Sequence, residues 1–165
     1  MNRAYLLTGG NIGNRLINLQ TALQLISQKC GLVITQSSIY ETAAWGLKEQ
    51  PGFLNQVILI ETTLGSTTLL KTILAIEEEM GRKRALKYGP RIIDIDILLF
   101  NSEVMHSEAL TIPHPAMPSR RFVLLPLAEI AGNFVHPLLN ITISDLLKNC
   151  TDELSVKKFS AAAGN

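Results

Sequence analysis

The stretch that decides the fold is GPRIIDIDILLF, residues 89–100, in which two carboxylates interrupt a run of isoleucine and leucine. Side chains alternate between the faces of a strand, so Asp94 and Asp96 should share one face while the neighbouring isoleucines fill the other. Unpaired buried carboxylates are costly, so the pair needs cations, hydrogen-bond donors or water. Mg²⁺ that also holds substrate phosphates would meet this need. The alternative is the wet face of a half-exposed strand, the commoner meaning of an isolated Asp-x-Asp.

Length and composition indicate a single domain, residues 1–165. Hydrophobic residues make up 47% of the chain and charged residues 18%, which disfavours disorder. The net charge of +1 gives no general attraction for nucleic acid or anionic membranes. Two cysteines, Cys30 and Cys150, are too few for a disulfide framework. No apolar stretch has the length of a signal peptide core or a membrane span, so we expect a cytoplasmic, soluble protein.

Hydrophobic periodicity predicts the order of the elements. Strands are expected at residues 3–8, 33–42, 53–63 and 92–100. Helices should follow the first and third of these strands and end near residues 30 and 80. This order predicts an α+β fold, a ferredoxin-like β-α-β-β-α-β antiparallel sheet with two helices on one face and loops and ligand on the other. Additional C-terminal helices and a last strand are expected at residues 120–131, 143–150 and 154–159.

A basic loop precedes the aspartate strand and contains Arg82, Lys83, Arg84, Lys87 and Arg91. Cations this close repel one another unless an anion lies among them, and the planar guanidinium group suits phosphate. For the loop alone, a solvated segment or a nucleic-acid patch would be the simpler interpretation. Directly before two carboxylates, the loop indicates a phosphoryl-transfer site, with arginines for the developing charge and acids for the metal.

Other strand ends offer groups that suit a planar heterocycle. Phe53 would stack on its face, while Thr42 and Asn55 would contact its polar edge. The alternative, with equal weight, is that Phe53 belongs to the core and Asn55 is a strand-edge residue. Trp45 is either a core plug or a mobile lid. The turn GGNIG at residues 9–13 lacks the Walker lysine, so an ordinary strand-to-helix turn is favoured over close approach to a ligand.

His114 lies between Pro113 and Pro115, whose rings fix the backbone. A histidine held in this way suits an acid, a base or a phosphate donor, and a structural histidine is the alternative. Glu77, on the helix before the basic loop, could reach a ribose hydroxyl.

At these residues the chain resembles the 6-hydroxymethyl-7,8-dihydropterin pyrophosphokinase family of folate biosynthesis. The strongest match is Lys87-Tyr88-Gly89-Pro90-Arg91 followed by Asp94-Ile95-Asp96-Ile97-Leu98. Supporting matches are Gly9 to Asn11, Thr42, Gln50-Pro51, Phe53-Leu54-Asn55, Glu77, Gly81-Arg82-x-Arg84, Leu110 to His114, Arg120 and Phe122. The chain departs from the usual pattern at Ala43-Ala44-Trp45, Ala109 and Pro115.

The resemblance implies an ATP-dependent diphosphotransferase that moves pyrophosphate from ATP to 6-hydroxymethyl-7,8-dihydropterin and leaves AMP. It further implies that Asp94 and Asp96 hold two Mg²⁺ ions. Arg82 and Arg91 would stabilise the transferring group, with Arg84 assisting. It also suggests a monomer with no nucleic-acid or membrane partner.

The resemblance also implies two groups of binding residues. The pterin would contact Thr42, Ala43, Trp45, Phe53, Asn55 and Phe122. The nucleotide would contact Glu77, Arg82, Arg84, Tyr88, Arg91, Ile97, Thr111, His114 and Arg120.

Two other functions are considered beside this one. The first is a different Mg²⁺-dependent nucleotidyl or phosphoryl transferase on the same fold, which would release ADP or free pyrophosphate rather than AMP. The second is a non-catalytic ferredoxin-like module whose basic loop binds RNA. The near-neutral net charge and the adjoining aspartates argue against the second.

Overall fold

The computed structural model of the protein describes residues 1–43, 52–82 and 91–160. Its strands are β1 (Asn2–Gly10), β2 (Leu32–Gln36), β3 (Tyr40–Thr42), β4 (Phe53–Thr62), β5 (Asp94–Phe100), β6 (Met105–His106), β7 (Thr111–Ile112) and β8 (Val156–Lys158). Its helices are α1 (Arg15–Lys29), α2 (Ser66–Glu79), α3 (Arg121–Ala131), α4 (Ile143–Lys148) and a 3₁₀ turn at Met117–Ser119.

The main sheet confirms the ferredoxin-like prediction. Its strands lie in the order β5-β1-β4-β3-β8, with β2 also pairing to β4, and each pairing is antiparallel. The first four predicted strands and their two helices therefore form the β-α-β-β-α-β unit. In this order β5, which carries both aspartates, lies beside β1 and at one end of the sheet.

The second predicted strand, residues 33–42, is divided in two. Between β2 and β3, Ser37 places its hydroxyl within 3.0 Å of the Val57 amide, from which it accepts a hydrogen bond. The same hydroxyl donates to the Ser38 carbonyl at 2.7 Å. A serine that binds neighbouring backbone groups competes with ladder pairing. The pairing with β4 therefore changes register here, and β3 continues separately.

The face covered by α1 and α2 contains the larger apolar core. Asn14 caps α1 by accepting the Ile17 amide, and Leu19, Ala22 and Ile26 form the buried side of that helix. The isoleucines at 95 and 97 of β5 and the one at 93, just before it, point into the same core and are at most 4% exposed. Their burial leaves the two aspartates on the opposite face, as the alternation predicts.

The opposite face is partly covered by α3 and α4, which corrects the expectation that it carries only loops and ligand. Val57, Leu98 and Leu99 are apolar on this face and are buried against Val123 and Leu127 of α3. Apolar strand residues must be removed from water on this face too, and the C-terminal helices do so. The part of the face that they leave uncovered holds a cavity.

Two smaller features also differ from the prediction. A two-stranded ladder of β6 and β7 occupies the proline-containing segment after β5, where no strand is expected from the sequence. The last strand, β8, is shorter than predicted and pairs with β3. Within the described ranges, no helix combines the length and apolar character needed to span a membrane.

Candidate active site

A cavity of about 220 Å³ opens between the sheet, the start of α3 and the C-terminal segment. Ten of the residues predicted for the site line it, namely Thr42, Ala43, Phe53, Asn55, Arg91, Asp94, Asp96, His114, Arg120 and Phe122. They come from β3, β4, β5, α3 and the loops beside them, so the fold collects groups that are up to 80 residues apart in the chain.

Other predicted residues lie outside the lining. Arg82 contacts a lining residue, whereas Glu77 and Ile97 are buried on the α1–α2 side of the sheet. Thr111 belongs to the β6–β7 ladder. The predictions for Trp45, Arg84 and Tyr88 fall outside the described residues.

The two aspartates have different surroundings. Asp94 is 27% exposed and accepts hydrogen bonds from two guanidinium groups. Burial raises the pKa of Asp96 to about 7, and the negative charges of Asp94 and Glu77 add to this rise against the opposing charges of Arg82 and Arg91. When both aspartates are ionised, their charges and that of Glu77 exceed the two positive charges of Arg82 and Arg91. A further cation beside the aspartates would therefore favour their ionised form.

Arg82 and Arg91 meet at Asp94. Nη1 of Arg82 donates to Oδ1 of Asp94 at 2.7 Å, and Nη1 of Arg91 donates to Oδ2 at 3.0 Å. The guanidinium of Arg82 also donates to Oε2 of Glu77 at 2.9 Å. The side chains of Arg82 and Arg91 are 15% and 16% exposed, so both charges are held close to the cavity at low solvent exposure.

Glu77 anchors this arrangement from the interior. Its carboxylate is 1% exposed and accepts the Ile95 amide of β5 at 2.7 Å in addition to Arg82. It therefore joins the end of α2 to β5 and fixes Arg82 at the edge of the cavity. In this structure the carboxylate faces protein groups, in contrast to the ribose contact expected from the sequence.

The glycine-rich turn after β1 positions the site through protein contacts. A Cβ atom added at Gly10 would collide with the Ile92 carbonyl oxygen, and one added at Gly9 would collide with the Asn55 side chain. Asn11 is 1% exposed. Its backbone N–H donates to the Arg91 carbonyl, and its side-chain Oδ1 accepts the backbone N–H of Arg91, both at 2.9 Å. These bonds fix the backbone of Arg91. The sequence analysis names Asn11 only as part of a family match and does not predict this role, although two consecutive glycines are typical of a close backbone approach.

The other end of the cavity is aromatic and polar. Phe53 enters it from β4 and Phe122 from α3, so the two rings belong to different walls. Thr42 and Asn55 are 3% and 5% exposed, and Nδ2 of Asn55 donates to Oγ1 of Thr42 at 3.3 Å. Buried polar groups in a cavity that aromatic rings also line suit a flat ligand with donors and acceptors along its edge.

His114 is held firmly at the cavity wall. Its amide donates to the Leu98 carbonyl at 3.0 Å, and its Nδ1 accepts the Ala116 amide at 3.2 Å. Burial lowers the pKa of His114, against the opposing effect of the Asp94 charge. The ring is therefore neutral at pH 7, and because Nδ1 accepts, Nε2 carries the proton. The preceding Ile112–Pro113 peptide bond is cis.

Several apolar lining residues were not predicted from the sequence. They are Leu7, Leu98, Ala116, Val123 and Leu154. Leu7, Leu98, Val123 and Leu154 lie on predicted elements and Ala116 in a predicted loop, but only the folded chain brings Leu154, from the segment after α4, to the cavity.

The chain is similar to proteins of one enzyme family. Residues 5–132 match the family described as 7,8-dihydro-6-hydroxymethylpterin-pyrophosphokinase. The 2-amino-4-hydroxy-6-hydroxymethyldihydropteridine pyrophosphokinase of Bacillus subtilis is 47% identical over 130 residues, 78% of each chain. The Haemophilus influenzae protein of the same name is 40% identical over 155 residues, 93% of this chain and 96% of that one.

Longer proteins contain a similar region. The chain is 42% identical over 145 residues to the folic acid synthesis protein fol1 of Schizosaccharomyces pombe, but spans only 20% of its length. Among solved structures, the Plasmodium falciparum HPPK-DHPS with SDX-DHP matches with a TM-score of 0.74 at 22% identity. The match covers 90% of this chain and 43% of that one. At this identity the structural match shows a shared fold.

Proposed function

This chain belongs to the 7,8-dihydro-6-hydroxymethylpterin-pyrophosphokinase family, and we propose that its cavity is where pyrophosphate passes from ATP to 6-hydroxymethyl-7,8-dihydropterin. The enzyme is an ATP-dependent diphosphotransferase of folate biosynthesis, and AMP is its second product. One observation carries the assignment of the cavity: two carboxylates and Arg91 line the same cavity as Phe53 and Phe122. Donor and acceptor sites are therefore adjacent in one pocket.

The pterin occupies the aromatic end in this proposal. Its ring system would lie between Phe53 and Phe122, which enter from different walls. Thr42 and Asn55 would contact its polar edge, in keeping with their burial and their mutual hydrogen bond. Ala43 lines the same end, and Trp45 is proposed from the sequence alone. Burial of a planar ring with matched polar contacts favours binding in a single orientation.

The phosphates of ATP occupy the charged end. Arg82 and Arg91 would bind the transferring group, since they are the described guanidinium groups held at Asp94. For this, each arginine must exchange its carboxylate partner for a phosphate oxygen. The exchange costs little because one charge-assisted hydrogen bond replaces another. Pyrophosphoryl transfer needs positioning and charge stabilisation, and these arginines supply both.

The nucleotide would continue from the phosphates toward the other lining residues. His114 and Arg120 line the cavity and are proposed to contact it. The neutral His114 ring would donate through Nε2. Thr111 and Ile97 are also proposed to contact the nucleotide. Because the Ile97 side chain is buried in the α1–α2 core, its contact would be made by the backbone. Arg84 and Tyr88 complete the proposal from the sequence alone.

Enzymes of this family use Mg²⁺ with ATP, and the carboxylate pair suits this ion. Among the described residues no group of three or more His, Cys, Asp or Glu could hold a metal ion. The two aspartates alone still suit Mg²⁺, because this ion is often bound by one or two carboxylates, with phosphates and water completing its coordination shell. We propose that Asp94 and Asp96 hold two ions. When bound, they would neutralise charge on the phosphates.

Product analysis tests the proposed reaction. The protein, incubated with MgATP and 6-hydroxymethyl-7,8-dihydropterin, should form AMP and the pterin pyrophosphate in equal amounts. ADP or free pyrophosphate as the stoichiometric product would indicate a different transferase. Size-exclusion chromatography with light scattering tests the proposed monomer, and a single cooperative unfolding transition tests the proposed single domain.

A further inference from the structure

The segment after α4 contributes to the cavity, although it lies beyond residues 5–132, which match the family model. That match ends at residue 132, whereas Leu154 lines the cavity together with Phe122 and Thr42. We propose that Leu154 is a pterin-binding residue, and that the segment 150–158 holds it in place. This inference rests on the proposed function and extends it to a residue with no assigned role.

On one side, the segment is fastened to the start of α3. One carboxylate oxygen of Asp152 accepts the Arg121 amide at 3.0 Å, and the other accepts the Leu154 amide at 3.0 Å. The guanidinium of Arg121 donates to the carbonyls of Asp152 and Cys150 at 3.0 and 3.1 Å. Asp152 therefore acts as an N-terminal cap for α3, which has no capping side chain of its own.

On the other side, the segment is fastened to the sheet. β8 pairs with β3 so that Val156 is opposite Thr42, and the Phe159 amide donates to the Ile39 carbonyl at 2.8 Å. Leu154 thus lies two residues from each anchor, Asp152 and Val156. Its position is set between the helix that carries Phe122 and the strand that carries Thr42.

The chemistry of this position suits the pterin rather than ATP. Leu154 offers an apolar side chain to the cavity that Phe122 and Thr42 also line, whereas Arg91, Asp94 and Asp96 lie on β5 or just before it and Arg120 precedes α3. A flat heterocycle gains from apolar contact along its rim. Removing the side chain should weaken pterin binding selectively, by about tenfold for the loss of this contact.

Leu154→Ala in the full chain tests the inference, with Leu139→Ala as the matched control. Leu139 belongs to the same C-terminal region, is 47% exposed and does not line the cavity. Calorimetry with the pterin and a non-hydrolysable MgATP analogue should show about tenfold weaker pterin binding in Leu154→Ala. Nucleotide binding should stay within about twofold of the wild type, and the control should match it in both measurements.

Two further variants keep the test decisive if Leu154→Ala folds poorly. Leu154→Met, of similar volume, should retain pterin affinity, whereas Leu154→Trp should block pterin binding while MgATP still binds. Pterin affinity within about twofold of wild type in Leu154→Ala or in Leu154→Trp would overturn the inference. Wild-type AMP formation is measured separately, so loss of the proposed function and failure of this inference give different results.

Discussion

At the scale of single residues, the two aspartates of β5 show how one motif yields two electrostatic environments. Asp94 accepts hydrogen bonds from both arginines, whereas Asp96 is half-buried beside the negative charges of Asp94 and Glu77. Without a further cation the second carboxylate is penalised, because like charges at low solvent exposure raise each other's pKa. A cation bound beside Asp96 would therefore offset this repulsion.

Asp96→Asn tests separately what the Asp96 charge contributes to turnover and what it contributes to stability. The amide keeps the shape but removes a proposed Mg²⁺ ligand, so turnover should fall by about 100-fold or more, the equivalent of several kcal/mol. The melting temperature should not fall, because the substitution removes a negative charge that Asp94 and Glu77 repel. AMP formation and thermal unfolding measure the two effects. Wild-type AMP formation by this variant would contradict the proposed metal site.

Glu77→Gln tests whether the interior carboxylate holds Arg82. The amide can still accept the Ile95 amide hydrogen bond but loses its charge, so we expect a loss of about 2–3 kcal/mol of stability. For a chain of this length the melting temperature should then fall by about 4–10 °C. Glu78→Gln, an exposed carboxylate on the same helix, is the control. Equal melting temperatures for the two variants would show that Glu77 is not an anchor.

At the scale of elements, the walls of the cavity are joined by side chains from distant parts of the chain. Glu129 of α3 accepts hydrogen bonds from the Tyr40 hydroxyl at 2.7 Å and from the amide and hydroxyl of Ser38, both at 3.0 Å. α3 carries Phe122 and β3 carries Thr42. The Glu129 contacts therefore set the distance between the two proposed pterin walls.

The pH dependence of stability should reveal this link. Burial tends to raise the pKa of Glu129, but the bonds from Tyr40 and Ser38 and the charge of Lys158 outweigh it and lower the pKa. A folded-state pKa below the unfolded value of about 4.3 stabilises the protein above that pH, and the gain is lost as pH falls through the folded value.

Glu129→Gln should therefore reduce stability at pH 7 by about 0.5–1 kcal/mol, because Glu129 is exposed and solvent screens its charge. The difference from wild type should shrink in acid below about pH 4. Urea unfolding of both proteins between neutral and acid pH measures this. A difference that stays constant with pH would mean that the charge of Glu129 does not contribute.

At the scale of the whole molecule, we expect the fold to be stable without the proposed Mg²⁺ ions. Arg82 and Arg91 already compensate Asp94, and two apolar cores enclose the sheet from both faces. Metal removal should therefore stop the reaction without unfolding the protein. Nucleotide binding, in contrast, should depend on Mg²⁺, because the part of the chain that the structure describes offers few metal ligands of its own.

Thermal unfolding with combinations of ligands tests this dependence. Mg²⁺ alone should change the melting temperature little, whereas Mg²⁺ with a non-hydrolysable ATP analogue at about 100 times its Kd should add about 2.7 kcal/mol. That corresponds to a rise of about 5–10 °C. EDTA should abolish both this rise and AMP formation, and excess Mg²⁺ should restore them. A full rise with the analogue in EDTA would show that nucleotide binds without metal.

The sequence by itself determined the order of elements and much of the chemistry. Alternation in β5 separates the isoleucines at 93, 95 and 97 from Asp94 and Asp96, because successive strand side chains point to opposite faces. The periodicity of α1 and α2 likewise predicts which side of each helix is buried. These features depend on neighbouring residues and local backbone geometry, so they can be inferred without knowledge of the fold.

Only the tertiary structure decided how distant residues meet. Asn11 fixes the backbone of Arg91, Glu77 turns inward to hold Arg82, and Leu154 reaches the cavity across β3 and α3. The serine contacts that divide β2 from β3 likewise depend on pairing with β4. Apart from the Glu77–Arg82 pair, these contacts join segments far apart in sequence, and they form because burial of two apolar sheet faces brings those segments together.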